Sequence, residues 1–78
     1  MMKTYIKLTF NSEGERPSEV IDLLHGLGFK PQRGEYDMVY DWGDDADVSD
    51  AIRFADQIHS ALEGHKVLYS IETDTFEE

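Results

Sequence analysis

The chain has 78 residues, no cysteine, and 17 acidic against 7 basic residues, which gives a formal net charge of −10. A chain this short forms one domain, residues 1–78, and the lack of cysteine excludes disulfides, thiolate metal sites and a cysteine nucleophile. The negative charge disfavours binding to nucleic acid or anionic lipid. The sequence has no run of about 18 apolar residues, the length needed to span a membrane, so we expect a soluble, cytoplasmic protein.

The first half of the chain predicts a strand followed by a helix. Residues 4–10 alternate between apolar and polar side chains, as in a half-buried strand. Pro17 fits the first turn of a helix, where a missing N–H is tolerated. Val20, Leu24 and Leu27 then form an apolar helical stripe, so this helix should pack against the strand.

The second half predicts two strands, a helix and a final strand. Pro31 restricts the short extended segment 29–33 to a sheet edge. The next strand should bury one alternating face, formed by Tyr36, Met38, Tyr40 and Trp42. The second helix should bury a stripe of Val48, Ile52, Ala55, Ile58 and Leu62. The last strand alternates around Val67, Tyr69 and Ile71, and residues 74–78 are predicted to form an acidic tail.

The resulting order, β-α-β-β-α-β, is typical of an α+β fold. It predicts a four-stranded antiparallel sheet with both helices on one face, which is the ferredoxin-like arrangement. In that topology the ends of the third and fourth strands lie at the same end of the sheet. The segment after the third strand should then approach Glu72 and Asp74.

The most unusual segment is the acidic run, residues 41–50, which connects the third strand to the second helix. Several closely spaced carboxylates next to the flexible Gly43 favour a hard cation with oxygen ligands, and a loose geometry suits calcium better than magnesium. The candidate ligands are Asp41, Asp44, Asp45 and Asp47, with Glu72 and Asp74 as contributors from the last strand. The spacing does not fit an EF-hand, so we expect weak binding, on the order of 10⁻⁴–10⁻³ M.

Ordinary structural roles also account for these carboxylates. Asp47 or Ser49 is suited to the N-cap of the second helix, and Asp50 would sit favourably in its first turn. Asp41, Asp44 and Asp45 are not explained by capping, although a solvated charged loop would contain such residues. Both interpretations stay open at the level of the sequence.

With this element order and acidic segment, the chain resembles a family of small archaeal α+β proteins described as calcium-binding. The resemblance implies that calcium is held by the acidic loop, which corresponds here to Asp41, Asp44, Asp45 and Asp47.

The sequence contains no catalytic motif, so we predict a non-catalytic protein that binds calcium or another divalent cation. The alternative is a protein-protein interaction module that dimerises, or that docks a basic protein partner through its acidic end or its free sheet face. Tyr5, Lys7, Val39 and Leu68 are the residues expected on that face. A third hypothesis is a regulatory domain that binds a small molecule at a dimer edge.

Overall fold

The computed structural model describes residues 2–34 and 36–75 of the chain. The elements in these ranges are β1 (Met2–Thr9), α1 (Pro17–Gly26), β2 (Lys30–Pro31), β3 (Met38–Gly43), α2 (Val48–Leu62) and β4 (Leu68–Thr75). The predicted order β-α-β-β-α-β is therefore confirmed.

The four strands form one sheet in the order β2-β3-β1-β4, and each neighbouring pair is antiparallel. The protein is thus an α+β domain with an antiparallel sheet and two helices, as the sequence predicts. Its two outer strands differ in length. β2 has only 2 residues and contains Pro31, which lacks an N–H and suits a sheet edge. β4 has 8 residues and forms the opposite edge.

The hydrophobic core lies on one side of the sheet. Alternation along β1 buries Ile6 and Leu8 and leaves Lys7 and Thr9 exposed. The core cluster consists of Ile6, Leu8, Val20, Leu24, Phe29, Met38, Phe54, Ile58 and Leu62. Because both helices contribute to this one cluster, they pack against the side of the sheet that carries the buried residues of β1.

The buried side of α2 differs from the predicted one. The prediction for Val48 and Ile52 is wrong, because these residues are 66% and 59% exposed. The residues of α2 that are buried are Ala51, Phe54, Ile58 and Leu62. Phe54 accounts for the difference, since its ring centroid lies 4.5 Å from that of Tyr40 and 5.2 Å from that of Trp42. This aromatic packing turns Val48 and Ile52 towards the outer strand β4.

Tyr36 also differs from its prediction, because it does not share the buried face of β3. β3 begins at Met38, and the Tyr36 ring centroid lies 5.0 Å from that of Tyr5. Asp37, which lies between Tyr36 and Met38, interrupts the alternation. Its N–H donates to the Ile6 carbonyl, and its Oδ2 accepts a hydrogen bond from Leu8 N at 2.7 Å.

The C-terminal strand is longer than the sequence predicts. β4 continues to Thr75, so positions 74 and 75 of the predicted tail belong to the sheet. Strand pairing with β1 fixes this part of the chain, with Met2 opposite Thr75 and Lys3 opposite Asp74. The rest of the predicted tail, residues 76–78, lies outside the described residues.

Candidate functional site

The first carboxylate of the acidic run stabilises the turn that follows β3. Asp41 Oδ1 accepts a hydrogen bond from Gly43 N at 2.9 Å. Gly43 has φ of 73°, a conformation that glycine adopts without steric cost. Asp41 and Gly43 together therefore redirect the chain from the sheet towards α2.

The end of the acidic run caps α2. Asp47 accepts a hydrogen bond from Asp50 N at 3.1 Å, and Asp50 Oδ2 accepts one from Asp47 N at 3.0 Å. This reciprocal pair is a capping box, so the structural interpretation of Asp47 and Asp50 is confirmed. Asp50 also forms an ion pair with Arg53 at 2.7 Å.

The electrostatics of Asp47 follow from this local geometry. Ser49 Oγ lies 2.6 Å from Asp47 Oδ1. This hydrogen bond, followed by the one from Asp50 N, holds the pKa of Asp47 below its usual value. Asp47 is thus stabilised as an anion by hydrogen-bond donors of the protein itself.

Asp44 and Asp47 lie at the same cavity. A cavity of about 260 Å³ is lined by Asp44 and Asp47 together with Gly43, Ala46 and Thr75, among others. The neighbouring Asp45 is exposed. Two of the predicted ligands therefore lie around one open space beside α2.

The two carboxylates of β4 are separated from Asp41 by a strand. Lys3 of β1 pairs with Asp41 on one side and with Asp74 on the other. Neighbouring strands are about 4.8 Å apart, so the backbones of Asp41 and Asp74 are separated by roughly 10 Å with a lysine between them. Glu72 is one row further along the sheet and accepts a hydrogen bond from the Tyr36 hydroxyl. Across residues 2–34 and 36–75, no three histidine, aspartate or glutamate side chains are grouped so that they could hold one metal ion.

An apolar opening lies beside the edge strand, where the sequence predicted core. A groove of about 300 Å³ runs between α2 and β4, and we call it the α2/β4 groove. It is lined chiefly by Val48, Ala51, Ile52, Ala55, Ile71 and Thr73. The groove and the acidic cavity share Met2, Val48 and Thr75, so the two openings adjoin.

The sequence contains a signal for this groove beyond the single stripe predicted for α2. Apolar residues of α2 form one stripe through Ala51, Phe54 and Ile58 and a second through Val48 and Ile52. Together they cover more of the helix circumference than one packed face needs. An apolar surface wider than the core contact leaves one part of it open.

The chain matches none of the protein-family models, curated proteins or solved structures with which it was compared. Within the described part of the chain, no helix has both the length and the apolar character needed to cross a membrane.

Proposed function

We propose that this chain is a protein-binding module that receives a partner segment in the α2/β4 groove. The observation that carries the proposal is the exposure of Val48 and Ile52, at 66% and 59%, directly beside a sheet edge. Water contact with these apolar side chains is unfavourable, and a partner that covers them gains the corresponding free energy.

The contrast between the two sheet edges supports this proposal. Exposed edges invite strand pairing, and proteins block them with very short strands, proline or charge. β2 carries the first two of these features, whereas β4 is 8 residues long, contains no proline and carries charge only at Glu72 and Asp74. The accessible edge is therefore the one that adjoins the apolar groove.

For the fold, we infer that the strand order β2-β3-β1-β4 with antiparallel pairing corresponds to the ferredoxin-like arrangement. Fold alone does not assign a function, because this architecture occurs with many unrelated sites. The functional proposal depends on the groove.

The test is selection of binders from a random peptide library displayed on phage, with the wild-type protein as bait. Binders should lose affinity for Ile52→Glu by more than about tenfold, because a charge replaces an apolar contact. Gln57→Glu is the matched control, since it adds the same charge to an exposed position of α2 outside the groove. If no selected peptide distinguishes Ile52→Glu from Gln57→Glu, the groove is not a binding site.

Calcium binding stays a prediction and is the second candidate. The presence of Asp44 and Asp47 around one cavity supports it, while the capping bonds of Asp47 and the intervening Lys3 oppose a larger ligand set. At millimolar calcium, amide resonances of residues 41–47 should shift, and the melting temperature should rise more than in sodium chloride of equal ionic strength. Unchanged resonances, or equal effects of the two salts, would contradict calcium binding. The absence of catalytic activity and the cytoplasmic location likewise stay predictions.

A further inference from the structure

We infer that the partner is an extended segment that alternates apolar with basic residues and pairs with β4 as a fifth strand of the sheet. The inference rests on the proposed function, and it adds the conformation and the chemistry of the partner.

The alternation follows from the two faces of β4. Ile71, Thr73 and Thr75 line the α2/β4 groove. Glu72 and Asp74 point to the opposite face, because successive side chains of a strand alternate. A strand added beside β4 continues the same two faces, so every second side chain would lie over the groove and the others beside the carboxylates.

The apolar half of this pattern follows from the groove itself. Val48 and Ile52 are exposed and line the groove together with Ile71 and Thr73 of β4, and the small side chains of Ala51 and Ala55 line it as well. A fifth strand would place its inward side chains against these residues. Aliphatic side chains would remove the most apolar surface from water there.

The basic residues of the partner segment follow from the negative charge of β4. β4 contains no lysine or arginine, and both of its charged residues are acidic. Lys3 lies opposite Asp74 on the β1 side, so the side of Asp74 that faces away from β1 would be occupied by the partner. Opposite charges on neighbouring strands stabilise their pairing. On the groove face, Asp44 and Asp47 add negative charge at the adjoining cavity.

A second copy of the chain is the less favourable occupant. Each copy carries a net charge of −10, so a dimer brings 2 × −10 = −20 together. Pairing of β4 with its own copy also supplies no cation for Glu72 or Asp74. Electrostatic repulsion of this kind opposes self-association and favours a basic partner.

The experiment uses synthetic peptides of 8 residues, the length of β4. One alternates valine with lysine, a second has the same side chains with alternate backbone nitrogens methylated, and a third alternates valine with glutamate. Binding to the whole 78-residue protein is followed by amide chemical shifts and by hydrogen exchange. The valine-lysine peptide should shift resonances of β4 and of the groove residues of α2, and should slow exchange of alternate β4 amides.

The controls separate backbone pairing from side-chain contacts. Methylation of the alternate nitrogens that would face β4 removes the peptide's donors along that edge and should weaken binding by more than about tenfold. The glutamate peptide should not bind. Glu72→Gln and Asp74→Asn should each weaken binding of the lysine peptide about threefold, and Ile52→Glu should weaken it relative to Gln57→Glu.

The outcomes distinguish this inference from the proposed function. If displayed peptides require Ile52 but contain no basic alternation, or if methylation has no effect, the inference is wrong and the binding module stands. A dimer detected by light scattering that Ile52→Glu disrupts, without peptide binding, would identify a second copy as the occupant and overturn the inference. If neither the designed nor the displayed peptides depend on Ile52, both proposals fail.

Discussion

A hydrogen-bond network centred on the buried Thr4 connects three strands of the sheet and provides the sharpest test of the fold. Thr4 of β1 is 2% exposed, and its Oγ1 lies 2.8 Å from Trp42 Nε1 of β3 and 2.8 Å from Thr73 Oγ1 of β4. The indole N–H can only donate, so Thr4 is its acceptor. Replacing Thr4 by valine keeps the shape of the side chain and leaves a donor without a partner.

The expected loss follows from the cost of an unsatisfied polar group. Leaving one such group unpaired costs roughly 1–3 kcal/mol, so we take about 2 kcal/mol for Thr4→Val. A chain of 78 residues has a total stability of about 4–12 kcal/mol. The substitution should therefore lower the melting temperature by roughly 8–16 °C and the urea midpoint by about 1–2 M.

Two companion variants separate the hydroxyl from the methyl group. Thr4→Ser keeps the acceptor and should be clearly more stable than Thr4→Val in urea unfolding followed by circular dichroism. Trp42→Phe removes the donor, so the double variant with Thr4→Val should lose less stability than the sum of the single losses. Equal losses for serine and valine, or strict additivity, would refute the role of the network.

Two further predictions concern carboxylates outside the hydrophobic core. Asp47→Ala should lower the melting temperature by a few degrees, because the cap of α2 is lost. Asp47→Asn retains an N-cap acceptor and should melt close to the wild-type temperature. Equal losses for the two variants would contradict the capping role. The second prediction concerns Glu15. The hydrogen bond from Arg16 N at 3.1 Å holds the pKa of Glu15 below its usual value of 4.5, and the hydrogen bond with His65 Nδ1 at 3.1 Å is the next largest cause. A lowered folded pKa stabilises the protein above about pH 4.5, and this stabilisation is lost as the pH falls through the folded value. The stability difference between wild type and Glu15→Gln should therefore shrink as the pH falls below 4.5 in urea titrations, and a difference that stays unchanged there would contradict it.

Local sequence signals predict the elements of this fold well. Pro17 and Asp47 mark the starts of the two helices, and alternation in residues 4–10 identifies the central strand. These features depend on backbone chemistry within a few residues of each site. They can therefore be read without knowledge of the tertiary structure.

Tertiary contacts decide the features that the sequence analysis missed. The buried face of α2 depends on where the Phe54 ring meets Tyr40 and Trp42, and these residues are distant from it in sequence. The candidate ligand set has the same dependence, because Asp41 and Asp74 lie at one end of the sheet but on opposite sides of β1. Topology predicts their common end, whereas their separation by Lys3 depends on the strand register.

The acidic run and the α2/β4 groove form one structural region. Asp47 caps α2 immediately before Val48, and Val48 lines both the groove and the acidic cavity. The cap therefore fixes the position of the first apolar residue that a partner would meet. A capping defect that frays the first turn of α2 should weaken partner binding more than it weakens the core, because Phe54 and Ile58 lie further along the helix. If the groove binds a partner as proposed, the carboxylates at the start of α2 would serve that binding by holding the groove in shape.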